Sequence, residues 1–205
     1  ASTGTQITAT NWTLDNWGAI LVACPAGGPI YEWSPYSGFT QASKIVEAPS
    51  INGGIFISQS QQILVAWASS STGILDPLSL NWSAVSDFAN WTVSSQTQAG
   101  GYRLPTGSRI VGGFASPNFN LIWTDIELWA MNYIGPPLVF GFNVLGSNCG
   151  LVGRHAYATL NSVVYWMGPD QFYSLNGETV NTIPCAVWDF VFQDIDLDEL
   201  DKVCG

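Results

Sequence analysis

Two stretches decide the reading of the fold: Asn120–Trp129, NLIWTDIELW, and Ser162–Phe172, SVVYWMGPDQF. In each, an apolar run closes on a tryptophan, Trp123 or Trp166, and a second aromatic follows six residues later, Trp129 or Phe172. The same phrase stands earlier at Trp33 with Phe39 and at Trp82 with Phe88. The four tryptophans are spaced by 49, 41 and 43 residues. The residues between tryptophan and aromatic are turn formers in three copies (SPYSG, SAVSD, MGPDQ) and less so in TDIEL. A hairpin unit recurring at this interval predicts an all-β, propeller-like chain, one small sheet or blade about every 40–50 residues. A single small sheet cannot bury both faces; stacking sheets around an axis covers them, and indoles fill the wedges. A β-sandwich whose strands happen to recur is the competing architecture.

The rest of the chain reads in the same way. Short runs rich in Val, Ile, Phe, Tyr and Trp lie between Gly, Pro, Asn and Ser at Ala19–Ala23, Gly54–Ser58, Gln62–Ala68, Arg109–Ala115, Asn120–Thr124, Leu138–Phe142, Ser162–Met167 and Gln171–Leu175. That is the strand pattern. Helical periodicity is nearly absent before the C-terminal region. There Pro184 can open a short helix that puts Val187, Val191 and Ile195 on one face, with one more strand as the alternative.

Composition narrows the function classes. The 205 residues are 47% hydrophobic and 13% aromatic, and only 10% are charged, against about 25% in an ordinary soluble domain. Ten Trp, ten Phe and seven Tyr exclude a disordered chain. Five Lys and Arg oppose fifteen Asp and Glu, a net charge of −10. The cations are scattered at Lys44, Arg103, Arg109, Arg154 and Lys202, so no basic footprint for tight nucleic-acid binding exists. So few charges on so apolar a chain point to burial in an assembly. The most apolar long stretch, Trp129–Gly146, is broken by Gly135, Pro136, Pro137 and Gly141, which argues against a membrane-spanning helix. No signal-peptide pattern opens the chain. Cys24, Cys149, Cys185 and Cys204 form no C-x-x-C pair, and with a single histidine the raw material for a zinc site is poor, so the thiols are expected to be free.

Catalytic groups are few. His155 has no nucleophile elbow G-x-S-x-G to serve, and Cys149, in GSNCG, has no activating neighbour in sequence. Asp125 and Glu127 stand two residues apart, which on a strand puts both on one face, as a pair for glycoside hydrolysis. Asp194, Asp196, Asp198 and Glu199 imitate part of a calcium loop, but the sixth position is Glu199 and the twelfth Gly205, where Gly and Glu are required. Three Asn-Trp-[Ser/Thr] tripeptides, at Asn11, Asn81 and Asn90, match the glycan-acceptor pattern and are read as accidents of the strand motif. The expectation is a chain with no catalytic residue, cofactor or metal. A Trp-lined carbohydrate-binding propeller or a propeller glycosidase is the alternative.

From Arg103 onward the chain resembles a phage family. The phrases that carry this are Leu104–Gly113 (LPTGSRIVGG), the Trp123-Thr-Asp turn, Tyr133–Pro137 (YIGPP), Cys149-Gly150, Tyr165–Gly168 (YWMG), Phe172–Gly177 (FYSLNG) and Val187–Phe192 (VWDFVF). Leu14–Gly18 and Gly27–Pro35 look like earlier parts of the same pattern. The sequence is similar, over most of residues 11–200, to tail nozzle or hub proteins of short-tailed phages, including packaged-DNA stabilisation proteins. These are structural phrases, not a catalytic signature. The resemblance implies a propeller platform in a virion protein, assembled in the host cytoplasm, that forms a ring of its own copies beside other tail, portal or adaptor proteins and conducts and retains DNA. It also implies that residues 1–205, one propeller region, are the central part of a longer chain. A net charge of −10 suits a conduit wall that does not hold DNA.

Overall fold

The computed structural model describes residues 11–70, 72–116 and 119–205. Among the described residues, sixteen strands form four sheets, each a four-stranded antiparallel meander in chain order. The first contains β1 (Trp12–Trp17), β2 (Ile20–Pro25), β3 (Tyr31–Trp33) and β4 (Ser43–Lys44). The second contains β5 (Gly54–Ser58), β6 (Ile63–Trp67), β7 (Ser79–Trp82) and β8 (Gly100–Arg103). The third is β9 (Ile110–Ala115), β10 (Asn120–Thr124), β11 (Glu127–Gly135) and β12 (Val139–Ser147). The fourth is β13 (Tyr157–Leu160), β14 (Val163–Met167), β15 (Phe172–Asn176) and β16 (Thr179–Ile183). A five-residue helix, α1 (Trp188–Phe192), and a 3-10 segment (Leu197–Lys202) follow. The architecture is all-β and propeller-like.

The sheets stack face to face, and the alternation along each strand feeds one core on each side. Val22 and Cys24 meet Ile55, Ile57, Leu64 and Ala66 between the first and second sheets. Phe56, Val65, Trp67, Leu80 and Trp82 meet Ile122, Trp129, Met131 and Phe140 between the second and third. Val111, Leu121, Trp123 and Leu128 meet Val164, Trp166, Tyr173 and Leu175 between the third and fourth. A ring of four sheets has four such interfaces and an open arc has three; among the described residues there are three cores. The first strand of each sheet lies toward the inside of the arc, with β1 against β5 and β5 against β9. Two side chains of β1 fasten it to the next sheet: Thr13 Oγ1 accepts the Ile55 N–H at 2.9 Å, and Asp15 Oδ2 accepts the Ile57 N–H at 2.7 Å.

The tryptophan repeat marks one indole per sheet, but the four positions are not equivalent. Trp33 and Trp82 end third strands, whereas Trp123 and Trp166 lie in second strands. Trp33 pairs with Leu21 and so faces away from the second sheet, Trp82 and Trp123 face the following sheet, and Trp166 faces the preceding one. The partners differ as well: Trp129 is buried, Phe88 and Phe172 are half-buried, and Phe39 is fully exposed. Unequal connections explain the slip, because β5 starts 42 residues after β1 and β9 starts 56 after β5. The better-matched set is Trp67, Trp123 and Trp166, each at or next to the end of its second strand. The C-terminal helix forms only from Trp188, where Phe192 packs on Phe172 at 5.2 Å; Val187 is outside it and exposed.

Trp123 is fully buried between the third and fourth sheets. Replacing it with alanine is expected to cost about 3–5 kcal/mol in urea unfolding. Phe39→Ala, at a fully exposed site, is expected to stay within about 0.5 kcal/mol.

Candidate functional site in the axial cavity

The first strands converge on a cavity of about 470 Å³, lined from β1 by Trp12 and Asp15, from β5 by Phe56, from β6 by Trp67, from β9 by Phe114, and from the entry to β13 by Arg154, His155 and Tyr157. Glycines build its wall. Gly54 pairs across the strands with Trp67, and a Cβ on Gly54 would lie 2.4 Å from the indole; one on Gly113 of the next sheet would lie 2.9 Å from the same ring. The indole therefore fits flat between two backbones that carry no side chain there. The same device recurs at Gly100, which faces the Trp82 ring. The loop before β13 also depends on glycine: a Cβ at Gly150 would stand 2.1 Å from the Asp125 carbonyl oxygen and one at Gly153 2.3 Å from that of Leu200. That close passage delivers Arg154 and His155 to the cavity.

Arg154 reaches from the fourth sheet to the second. Its Nη1 donates to the Gly53 carbonyl at 2.8 Å, and its guanidinium carbon lies 5.5 Å from the centre of the Trp67 ring, a cation–π contact. Burial, partly offset by the charge of Asp201, pulls the Arg154 pKa below its ordinary value. His155 Nε2 lies 2.9 Å from Asn11 Oδ1, which ties the fourth sheet to the first. Desolvation, reinforced by Arg154, lowers the His155 pKa, so the ring is neutral at pH 7. Burial and then the charge of Asp15 raise the Tyr157 phenol.

The other sequence candidates serve structure. Asp125 lies in the β10–β11 turn, not on a strand, and does not pair with Glu127. Its Oδ1 accepts the Ser108 N–H at 2.8 Å and its Oδ2 accepts Ser108 Oγ at 2.5 Å. Burial would raise its pKa, but the hydrogen bonds from Ser108 and Arg109 outweigh it and hold it low. Glu127 accepts from Thr106 Oγ1 and, at 3.1 Å, from Trp129 Nε1. The two carboxylates pin the 105–109 loop. Asp196 caps the 3-10 segment by accepting the Asp198 N–H at 3.0 Å. Among the described residues, no cluster of three or more His, Cys, Asp or Glu could hold a metal, and no helix is long and apolar enough to cross a membrane. Cys149 is buried, and burial pushes its thiol up to about 11, far from an activated nucleophile. The Arg154–Trp67 contact escaped sequence reading because 87 positions separate the partners; the glycine pairs Gly53-Gly54, at the start of β5, and Gly112-Gly113, within β9, were the available signal.

No family model matches this sequence, and no curated protein matches it. The solved structures that share the fold include the following two. One is the extracellular domain of the one-component system BT4673 from B. thetaiotaomicron, at 12% identity and a TM-score of 0.56 over 90% of this chain. The other is the dihydro-heme d1 dehydrogenase NirN, at 14% identity and a TM-score of 0.54 over 82% of this chain. This chain spans 23% of the length of the first and 35% of the second. At these identities the likeness concerns the propeller-like fold alone, and neither protein is a tail component.

The four cysteines form no disulfide with one another. Cys24 and Cys149 are buried, with thiols pushed up to about 12 and about 11, mainly by desolvation, while Cys185 is half-buried and Cys204 exposed. Alkylation of the native protein at pH 8 without reductant is expected to modify Cys204 and Cys185 first, and Cys24 and Cys149 only on unfolding. Mass analysis after unfolding should then find four modified thiols; a protected pair would contradict this.

Proposed function

We propose that this chain is a structural, non-catalytic virion protein of the tail nozzle or hub type, working in a ring with copies of itself and neighbouring tail, portal or adaptor proteins. The observation that carries the reading is the open arc. At one end the outer face of the first sheet exposes Trp12 and Leu14, the latter at 61%, beside half-buried Leu21, Tyr31 and Trp33. At the other end the fourth sheet exposes Leu160 at 63% and Tyr165 at 37%, next to an apolar hollow of about 280 Å³ between Phe172, Ile183 and Val203. Flat apolar sheet faces of this kind are interaction surfaces. The resemblance in the phrases from Leu104 to Phe192 supports a tail protein as the kind of assembly.

The buried placement of Trp67, Trp82, Trp91, Trp123, Trp129 and Trp166 argues against the Trp-lined carbohydrate groove considered from sequence. The carboxylates that could have served a glycosidase are occupied by Ser108, Thr106 and Trp129.

The purified chain is expected to give several copies per particle in native mass spectrometry. The double variant Leu14→Ser, Tyr165→Ser is expected to reduce that number, and a monomer at micromolar concentration in the unmodified chain would overturn the reading. With a net charge of −10, duplex DNA binding is expected to be weak and abolished by salt. Nanomolar binding in a filter or fluorescence assay at physiological salt would contradict the conduit role.

A further inference from the structure

The axial cavity holds a cation that no carboxylate of the described residues pairs with directly; Asp201 acts on Arg154 only through space. Among the described residues, no carboxylate lies within ion-pair distance of the Arg154 guanidinium, in a chain where acids outnumber cations fifteen to five. Its Nε is buried without an acceptor, and so is Nε1 of Trp67, the ring beneath it. The Gly53 carbonyl satisfies one Nη1 bond only. Asp15 lines the same cavity, but its two oxygens accept the Asn16 and Ile57 N–H groups, each at 2.7 Å. A partly buried cation with no directly paired counter-ion is costly, and the usual remedy is an anion.

We propose that the axial cavity is a binding site for a small monoanionic carboxylate with a flat apolar body. The carboxylate seats on Arg154, because a guanidinium matches its planar, two-oxygen geometry. The body lies against Trp12, Phe114 and Tyr157, which line the cavity. One cation, with Asp15 close by and His155 hydrogen-bonded to Asn11, suits a single negative charge and disfavours a phosphate dianion. The volume of about 470 Å³ falls in the range of small-molecule sites. The cavity borders the open face of the first sheet through Trp12 and Leu14, but its cation and its other aromatic walls, Phe114 and Tyr157, belong to the third and fourth sheets, so the test below reads the site without reference to assembly.

The test is titration of the full chain with benzoate, benzamide and inorganic phosphate at constant ionic strength, followed by tryptophan fluorescence and calorimetry. Saturable benzoate binding is expected in the millimolar range or tighter, with benzamide and phosphate each at least about tenfold weaker. Arg154→Gln, shown to be folded by circular dichroism and cooperative unfolding, is expected to lose benzoate binding by about tenfold or more, whereas Tyr165→Ser on the remote open face leaves it unchanged. Absence of saturable benzoate binding, equal binding of benzamide, tighter binding of phosphate, or unaltered benzoate affinity in folded Arg154→Gln each overturns the proposal. Should Arg154→Gln fail to fold, the comparison of benzoate with benzamide on the unmodified chain decides alone.

Discussion

A four-stranded meander has two faces, and in this chain both faces of the middle sheets are apolar. The structure depends on covering them. The second sheet shows the demand most fully: all five residues of β5 and all five of β6 are buried, including both phases of the alternation. Such a sheet is stable only as the filling between two others. The first and third sheets supply the cover, each then needs cover on its own far side, and the stack propagates. Stacking also fixes the direction of the chain, because every first strand must lie on the inside of the arc for the next sheet to follow by a short connection.

Spacing between stacked sheets is set by what stands between them. Sheets pack about 10 Å apart when ordinary side chains interdigitate. An indole laid over a glycine in its own sheet lets the neighbouring backbone come closer, and Trp67 has glycine on both sides, Gly54 beneath and Gly113 opposite. Close approach there brings the inner strands together around the cavity and puts a ring under the guanidinium of Arg154. The cavity and the core are thus one construction. Arg154 and His155 also join the fourth sheet to the second and first through Gly53 and Asn11, contacts that hold the inner rim of an arc whose outer faces do not meet.

Much of this was legible in the sequence. Each of the eight apolar runs corresponds to a strand, and the interval between tryptophans reported the number of sheets. What stayed hidden has physical causes. β1, WTLDNW, is missing from the apolar runs because Asp15 and Asn16 interrupt it, yet Asp15 binds the backbone of the neighbouring strand. β8, GGYR, looks like a loop until its glycines are seen to lie opposite Trp82 and Asn81. Edge strands such as β16, TVNTI, are half-exposed and carry little apolar signal. The cavity was invisible for another reason: its lining comes from four sheets, and a linear pattern records alternation within a strand but not which strands converge.

Thr13 and Asp15 do more than fasten two sheets. The inner edge of β5 would otherwise present unpaired N–H groups at Ile55 and Ile57, a template on which a strand from another molecule could grow. Two side chains occupy those donors where a fifth strand would have used its carbonyls. This edge of β5 is closed to strand addition without lengthening the sheet. The inner backbone of β5 is thereby committed to the first sheet, and open edges remain on the outer strands β4, β8, β12 and β16.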